Sequence, residues 1–403
     1  MLTRRRFLTT AAAAGLALGG SGLALDRVGK TDSEPTPLGP LRAGLPTRQH
    51  AWNAALRRDV HGNPIAPLSQ RLLFFDVPRR PSDGDVRSLE SALRALEQRY
   101  PWSPAGLLFT VSWGPRYFEQ TLGTRSPVER PRPLSDFELP ALDDYDVCVH
   151  LACDAERRLA SVEHALAGSI DALAWRETRA GFVGTGLPAS NQDVDGLPPG
   201  RPVPATAPLY MGFKSGFRRN QATEDAVTIV DGPFAGGTTM HVSRMRLRLE
   251  SWYRVLDERD RVARMFAPQV SPEQVRRFTV DAPSHPALFD DAASKDGVVG
   301  HAQAIARARR AGRPLILRRD FDSTDGGEAG VHFVSLQRTI EDFVRTRTAM
   351  NAAGAFVLNP AITDTVNNGI NEFIFVTHRA NYVVPPRAQR SFPLLPGREA
   401  ALA

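Results

Sequence analysis

The sequence predicts an α+β protein made of two ferredoxin-like halves, each with an antiparallel sheet. Three observations predict it: a rhythm of periodic segments that occurs twice, a Pro-rich break between the two occurrences, and a length of 403 residues, more than one core usually serves. The first half opens with the apolar strand Arg71–Val77 ("RLLFFDV"). A helix follows around Val86–Arg99, where Val86, Leu89, Leu93 and Leu96 form one stripe at helical spacing. Strands Gly106–Trp113 and Tyr145–Cys153 come next, then a helix from Asp154 to about Ala167 and an extended segment Ala174–Val183. That is the β-α-β-β-α-β order. The second half repeats it with an extended stretch Thr238–Leu249, a helical "ESWYRVLDERDRVARMF", strands "RPLILRRDF" and "AGVHFVSLQ", a helix "TIEDFVRTRTAM" and a terminal "INEFIFVTHRANYVVP". Apolar positions 240 and 242 change parity to 245, 247 and 249, which predicts a β-bulge near Ser243–Arg244. The expected organisation is a leader over 1–24, a linker over 25–46, and domains over 47–200 and 206–395, divided at "GLPPGRPVPATAP".

Composition narrows the function classes. Hydrophobic residues make up 42%, with 32 Gly and 32 Pro, which fits a loop-rich globular protein. The net charge is +6, three units of it from Arg4, Arg5 and Arg6, so no nucleic-acid partner is expected. "TRRRFLTTAAAAGLALGGSGLALD" couples paired arginines to an uncharged run, Phe7–Leu25, that Gly, Ser and Thr make too weakly apolar for a membrane span. It resembles a twin-arginine export signal, with cleavage expected after Ala24. The twin-arginine translocase is then a partner, the destination is the periplasm or the exterior, and the processed chain is no integral membrane protein. Cys148 and Cys153 sit on a strand at a spacing of about 16 Å, too far to bridge, and read as small buried hydrophobes.

Nine histidines are present, and none has zinc-site spacing. No G-x-S-x-G, kinase or dinucleotide fingerprint occurs. The informative arrangement is His301, opening a helical "GHAQAIARARRAG", followed by Arg318 inside the apolar strand "PLILRRDF". A cation flanked by Leu315, Ile316 and Leu317 needs a specific partner, because burying its charge alone is costly.

"VVGHAQAIARARRAGRPLILRRDFDS", "EAGVHFVSLQRTIEDF" and "INEFIFVTHRANYVVPP" together resemble the C-terminal half of the dye-decolorising (DyP-type) haem peroxidases. "RQHAWNA", "RLLFFDV", "SWGPRYF" and "GPFAGGTTMHVSRMRLRLESW" extend the resemblance, in the family's order, over most of Arg48–Pro386. It implies two ferredoxin-like domains of the dimeric α+β barrel type, with haem b in the C-terminal one. It implies hydrogen peroxide and an organic reducing substrate as partners, and leaves homo-oligomerisation open.

Residue by residue, His301 matches the proximal iron ligand, the only metal ligand expected, with Asp290, Asp291 or Asp296 as partners for its second nitrogen. Arg318 matches the distal arginine, Asp320 a polar distal residue, and Phe333 a pocket wall. "MGFKSG" matches the distal loop, which implies cofactor contacts from Gly212, Phe213 and Gly216. Ser215 stands where the family carries its catalytic aspartate, and a hydroxyl is too weak an acid to replace that base. Glu224, Asp225 and Asp320 are the substitutes the sequence offers. His332 reads first as a satisfied core histidine and second as a further substitute, and Trp252 and Tyr253 read first as helix-face packing and second as surface electron relays. The expected function is an exported haem peroxidase with a modified distal site. Two alternatives stand beside it: a haem-binding or delivery protein of the same fold without efficient turnover, and a haem-free relative.

Overall fold

The computed structural model describes residues 38–60, 62–213, 220–277 and 288–402. The expected leader over 1–24 and the expected site residues Lys214, Ser215 and Gly216 lie outside them. Ten strands form one sheet: β1 Ser69–Asp76, β2 Leu108–Trp113, β3 Ala141–Leu142, β4 Val147–Cys153, β5 Ala174–Phe182, β6 Thr238–Leu247, β7 Leu317–Arg318, β8 Phe321–Ser323, β9 Gly330–Gln337 and β10 Ile374–Val384. The order is β2-β4-β1-β5-β8-β9-β6-β10-β3, with β7 on β9 and a further pairing of β10 with β2. Each half therefore has the ferredoxin-like strand order, and the halves meet edge to edge. Phe182 pairs Asp322 at one seam and Val383 pairs Trp113 at the other, so the sheet closes on itself.

Strand alternation separates two environments. Leu72, Phe74 and Cys148 of the first half meet Met240, Val242, Val334, Leu336 and Tyr382 of the second inside the closed sheet. Leu73, Phe75, Val149 and Leu151 point outward, onto the stripe Val86, Leu89, Leu93 and Leu96 of helix Asp83–Arg99. Ser82 caps that helix, its hydroxyl accepting the Asp85 N–H while the Asp85 carboxylate accepts the Ser82 N–H. Cys148 and Cys153 are buried and unbridged, as the strand spacing requires.

Two sequence expectations are corrected. The bulge lies in β10, not β6: Met245 pairs Val376 and Arg244 pairs His378, leaving Thr377 as the extra residue. β6 itself alternates without interruption and holds one register on β9: Met240 and Val242 face the closed interior and Met245 and Leu247 the opposite face, so its apolar residues change face and not register. The helix expected over "ESWYRVLDERDRVARMF" is two helices, Leu249–Arg254 and Glu258–Met265, because Asp257 turns out of the first and caps the second by accepting the Asp260 N–H at 2.8 Å. Among the described residues no helix is long and apolar enough to cross a membrane.

Candidate functional site

In the second half the outer sheet face, with helix Ile340–Met350 packed at one side, covers a cavity of about 200 Å³. Alternate residues of three strands form its floor: Ser243, Met245 and Leu247 of β6, Val331 and Phe333 of β9, and Ile374 and Val376 of β10. The Thr377 bulge then places Arg379, rather than His378, on this face. His378 points inside the closed sheet to Asp143, at 2.8 Å. Helices His301–Ala306 and Ile340–Met350 and the loop at Met211 and Phe213 complete the walls.

His301 is the first residue of its helix, and three close contacts hold it. Gly300, extended at φ −86° and ψ 148°, packs so tightly that a Cβ there would lie 2.0 Å from the Phe266 carbonyl oxygen. The Gly300 N–H donates to Gln303 Oε1 at 3.1 Å. On the other side Gly369, at φ +55°, sits close enough that a Cβ there would come within 3.1 Å of His301 Cα and press the helix start aside. The ring is half-buried, and Nδ1 is buried without a hydrogen-bond partner. Burial first, then the positive charges of Arg318 and Arg347, hold its pKa down to about 3. The imidazole is therefore neutral at physiological pH, with a lone pair free to ligate. Asp290, Asp291 and Asp296, the expected second-nitrogen partners, are all exposed: Asp291 pairs with Lys295, and Asp296 accepts from Gln269. They do not serve His301.

Arg318, Asp320 and Asp322 enter the cavity from one extended segment. β7 and β8 keep a single register on β9, with Arg318 opposite Ser335 and Phe321 opposite His332, bridged by the Arg319 N–H to the Val334 carbonyl at 2.7 Å. Period two therefore sends 318, 320 and 322 to the cavity and Leu317, Arg319 and Phe321 to the closed interior. The Arg318 backbone N–H donates to Gln221 Oε1 at 2.6 Å, while its side-chain Nε is buried without a partner. Asp322 was not singled out from sequence, although the alternation 318-320-322 was available to find it.

The opposite wall carries two buried cations. Arg379 forks onto Glu138 with Nη2 at 2.8 and 2.9 Å from its two oxygens, and Arg347 reaches the same carboxylate at 3.4 Å. His241 lies under them, stacked on Phe343 at 3.7 Å between ring centroids and bonded to Asn381 and Ser243. Burial, then the neighbouring Arg379, pushes its pKa well down. Sequence reasoning missed this cluster, since Glu138 comes from a first-half loop 241 residues away from Arg379.

The structure thus brings His301, Arg318, Asp320, Phe213 and Phe333 around one cavity, with Gly212 (φ +88°) in the adjoining loop. The remaining candidates are engaged elsewhere. Glu224 accepts the Trp52 and Asn53 N–H groups at 2.6 and 2.8 Å, and Asp225 is an exposed partner of Arg48. His332 faces the closed interior, bonded to Asp325 at 2.7 Å. Trp252 is buried and donates to the Met211 carbonyl, and Tyr253 donates to that of Tyr210, so neither is a surface relay.

A closed two-fold repeat of ferredoxin-like sheets with a cavity on the second half is the fold of the dye-decolorising peroxidases. A DyP-type peroxidase protein from Shewanella oneidensis matches with a TM-score of 0.54 at 18% identity, over 83% of this chain and 97% of its own. DypB from Rhodococcus jostii matches at 0.57 and 16%, over 84% and 97%, and a dye-decolorizing protein from V. cholerae at 0.54 and 17%, over 84% and 98%. By sequence the chain belongs to a family of unknown function, DUF7405, which it matches over residues 67–386. No curated protein matches it.

Proposed function

We propose that this protein is a haem-dependent peroxidase that uses hydrogen peroxide to oxidise an organic substrate, exported through the twin-arginine pathway by the leader over 1–24. The observation that carries the reading is the neutral, half-buried His301 imidazole sharing a largely apolar cavity with Arg318.

The donor set fits haem. Among the described residues no three His, Cys, Asp or Glu side chains converge to hold a metal ion. A lone imidazole suits a metal whose remaining donors come from a macrocycle. Structures of Rhodococcus jostii DypB variants are complexes with haem, and this chain shares their fold at 16% identity. Arg347 and Arg379 share the one carboxylate of Glu138, which leaves positive charge in the wall to meet an acidic cofactor edge. Both cysteines lie away from the cavity lining, which favours a non-covalent, b-type group.

When bound, haem would supply a redox-active iron for electron transfer between peroxide and an organic donor. His301 would be its protein ligand, fixed by Gly300 and Gly369. Phe213, Phe333 and Met245 line the cavity and would exclude water from it. The Arg318 guanidinium, which lines the same cavity, would stabilise negative charge on a peroxide oxygen.

One observation favours a second reading, haem binding without efficient turnover: Ser215 stands where the resembling family has its aspartate. The test is expression of the mature chain with haem supplied. A Soret band that His301→Ala abolishes, together with peroxide-dependent dye oxidation, is the expected result. A band without dye oxidation selects the second reading, and no band in the wild type overturns both.

A further inference from the structure

The cavity carries an acid at a position outside the loop that holds Ser215. Asp322, on β8, is fully buried and lines the cavity. Its Oδ2 accepts the Tyr210 N–H at 2.8 Å, and its Oδ1 is buried without a hydrogen-bond partner. Behind it β5 runs so close that a Cβ on Gly181 would lie 2.0 Å from the Asp322 carbonyl oxygen. The charged and titratable groups around it are Asp320 and Arg318 on its own segment, and Tyr210 and Tyr253 from the elements packed against it. No ion pair to Asp322 forms among the described residues.

A carboxylate in that place would be a buried charge without a counter-ion, which costs several kcal/mol. The group therefore holds its proton. Burial, reinforced by the negative charge of Asp320, raises its pKa well above the ordinary carboxyl value. With Oδ2 occupied by a backbone donor, Oδ1 is the oxygen left to carry the proton.

We propose that Asp322 is the general acid of this cavity, delivering the Oδ1 proton to the departing oxygen of a bound peroxide. The inference rests on the peroxidase reading. Per turnover the O–O bond breaks heterolytically and its electron pair leaves with the oxygen that Asp322 protonates, which departs as water. Two electrons come from the organic reductant. Asp322 takes back a proton from the peroxide's other hydrogen, and two protons released by the organic reductant with its two electrons complete the second water. Arg318 balances charge on the peroxide while the proton moves.

Two measurements test it. In the haem-free protein, infrared difference spectroscopy of wild type against Asp322→Asn should show the C=O stretch of a protonated carboxyl at pH 7, lost in the variant. In the haem-loaded protein, the rate of peroxide consumption should be flat at neutral pH and fall on the alkaline side. Asp322→Asn keeps an acceptor for Tyr210 and should lower the plateau about 10²-fold and flatten the alkaline limb. Asp322→Glu, which keeps a carboxyl, should retain both the band and the limb, a rescue that a merely structural role would not give. An unchanged infrared spectrum overturns the proposal, as does an unchanged pH profile in a variant with its Soret band intact. Absence of a His301-dependent Soret band in the wild type overturns the haem reading instead, and the infrared result then reports on the Asp322 proton by itself.

Discussion

His301 is placed by what its neighbours lack. Gly300 and Gly369 carry no Cβ, and each is a point of backbone approach that any other residue would fill. Gly369→Ala adds a methyl at φ +55° against His301 Cα, and should cost about 1–2 kcal/mol. Thermal unfolding would show a lower Tm, and titration with haem a weaker, shifted Soret band. A normal Tm and spectrum would mean that the helix start moves aside freely. At this scale the sequence was partly readable. His301 and Arg318 stand out by type and spacing, but nothing in the local sequence announces the glycine that touches His301 from 68 positions on. Asp322 was readable in principle, since a strand that aims 318 and 320 at a cavity must also aim 322 there. The Arg347–Glu138–Arg379 cluster was not, because its partners meet only through tertiary contact.

Among the elements, the strands were readable nearly to the residue, because alternation on a sheet buried on both faces leaves little freedom of register. The departures have local causes. A bulge deduced from β6 belongs to β10 because pairing, not one strand's own sequence, decides which partner carries the extra residue. Helix continuity failed at Asp257 because its carboxylate satisfies the Asp260 N–H better than another helical turn would. Asp257→Ala should therefore cost about 1 kcal/mol. The denaturation midpoint should fall with the slope against denaturant unchanged, and a midpoint equal to wild type would assign the break to packing of Leu256 instead.

Across the whole molecule, acid sensitivity is spread over the buried histidines; His241, His301 and His332 carry it in the second half, and His50 and His150 carry it where the N-terminal segment crosses the closed sheet. His50 accepts or donates at Thr228 Oγ1, 2.9 Å away, and its backbone carbonyl accepts from Arg319. His150, inside the sheet, meets Gln70 at 2.7 Å and packs on Trp52. Burial and then Arg319 hold both pKa values down to about 3, with Arg48 adding to the effect on His50. Between about pH 6.5 and 3 the unfolded chain binds these protons and the folded one does not, so stability falls as pH drops through that window. Asp322 has the opposite sign: its raised pKa favours the fold at low pH and withdraws that support as pH rises. Unfolding followed from pH 7 to pH 4 should show a Tm that declines with acid, and His150→Gln should make that decline shallower. An identical slope in the variant would place the acid sensitivity elsewhere.

The same topological slot, the crossing from the first strand of a half to its second, is filled in two ways. In the first half it is one capped helix of 17 residues seated on the sheet, and in the second it is a run of short helices around a void. One repeat is ballast and the other is workshop. Substitutions beneath Asp83–Arg99 should therefore surface as poor yield of an otherwise competent protein. Those around His301 and Asp322 should leave a sound shell with altered chemistry, so a mutational scan of this chain should divide into two populations along the seams of a single closed sheet.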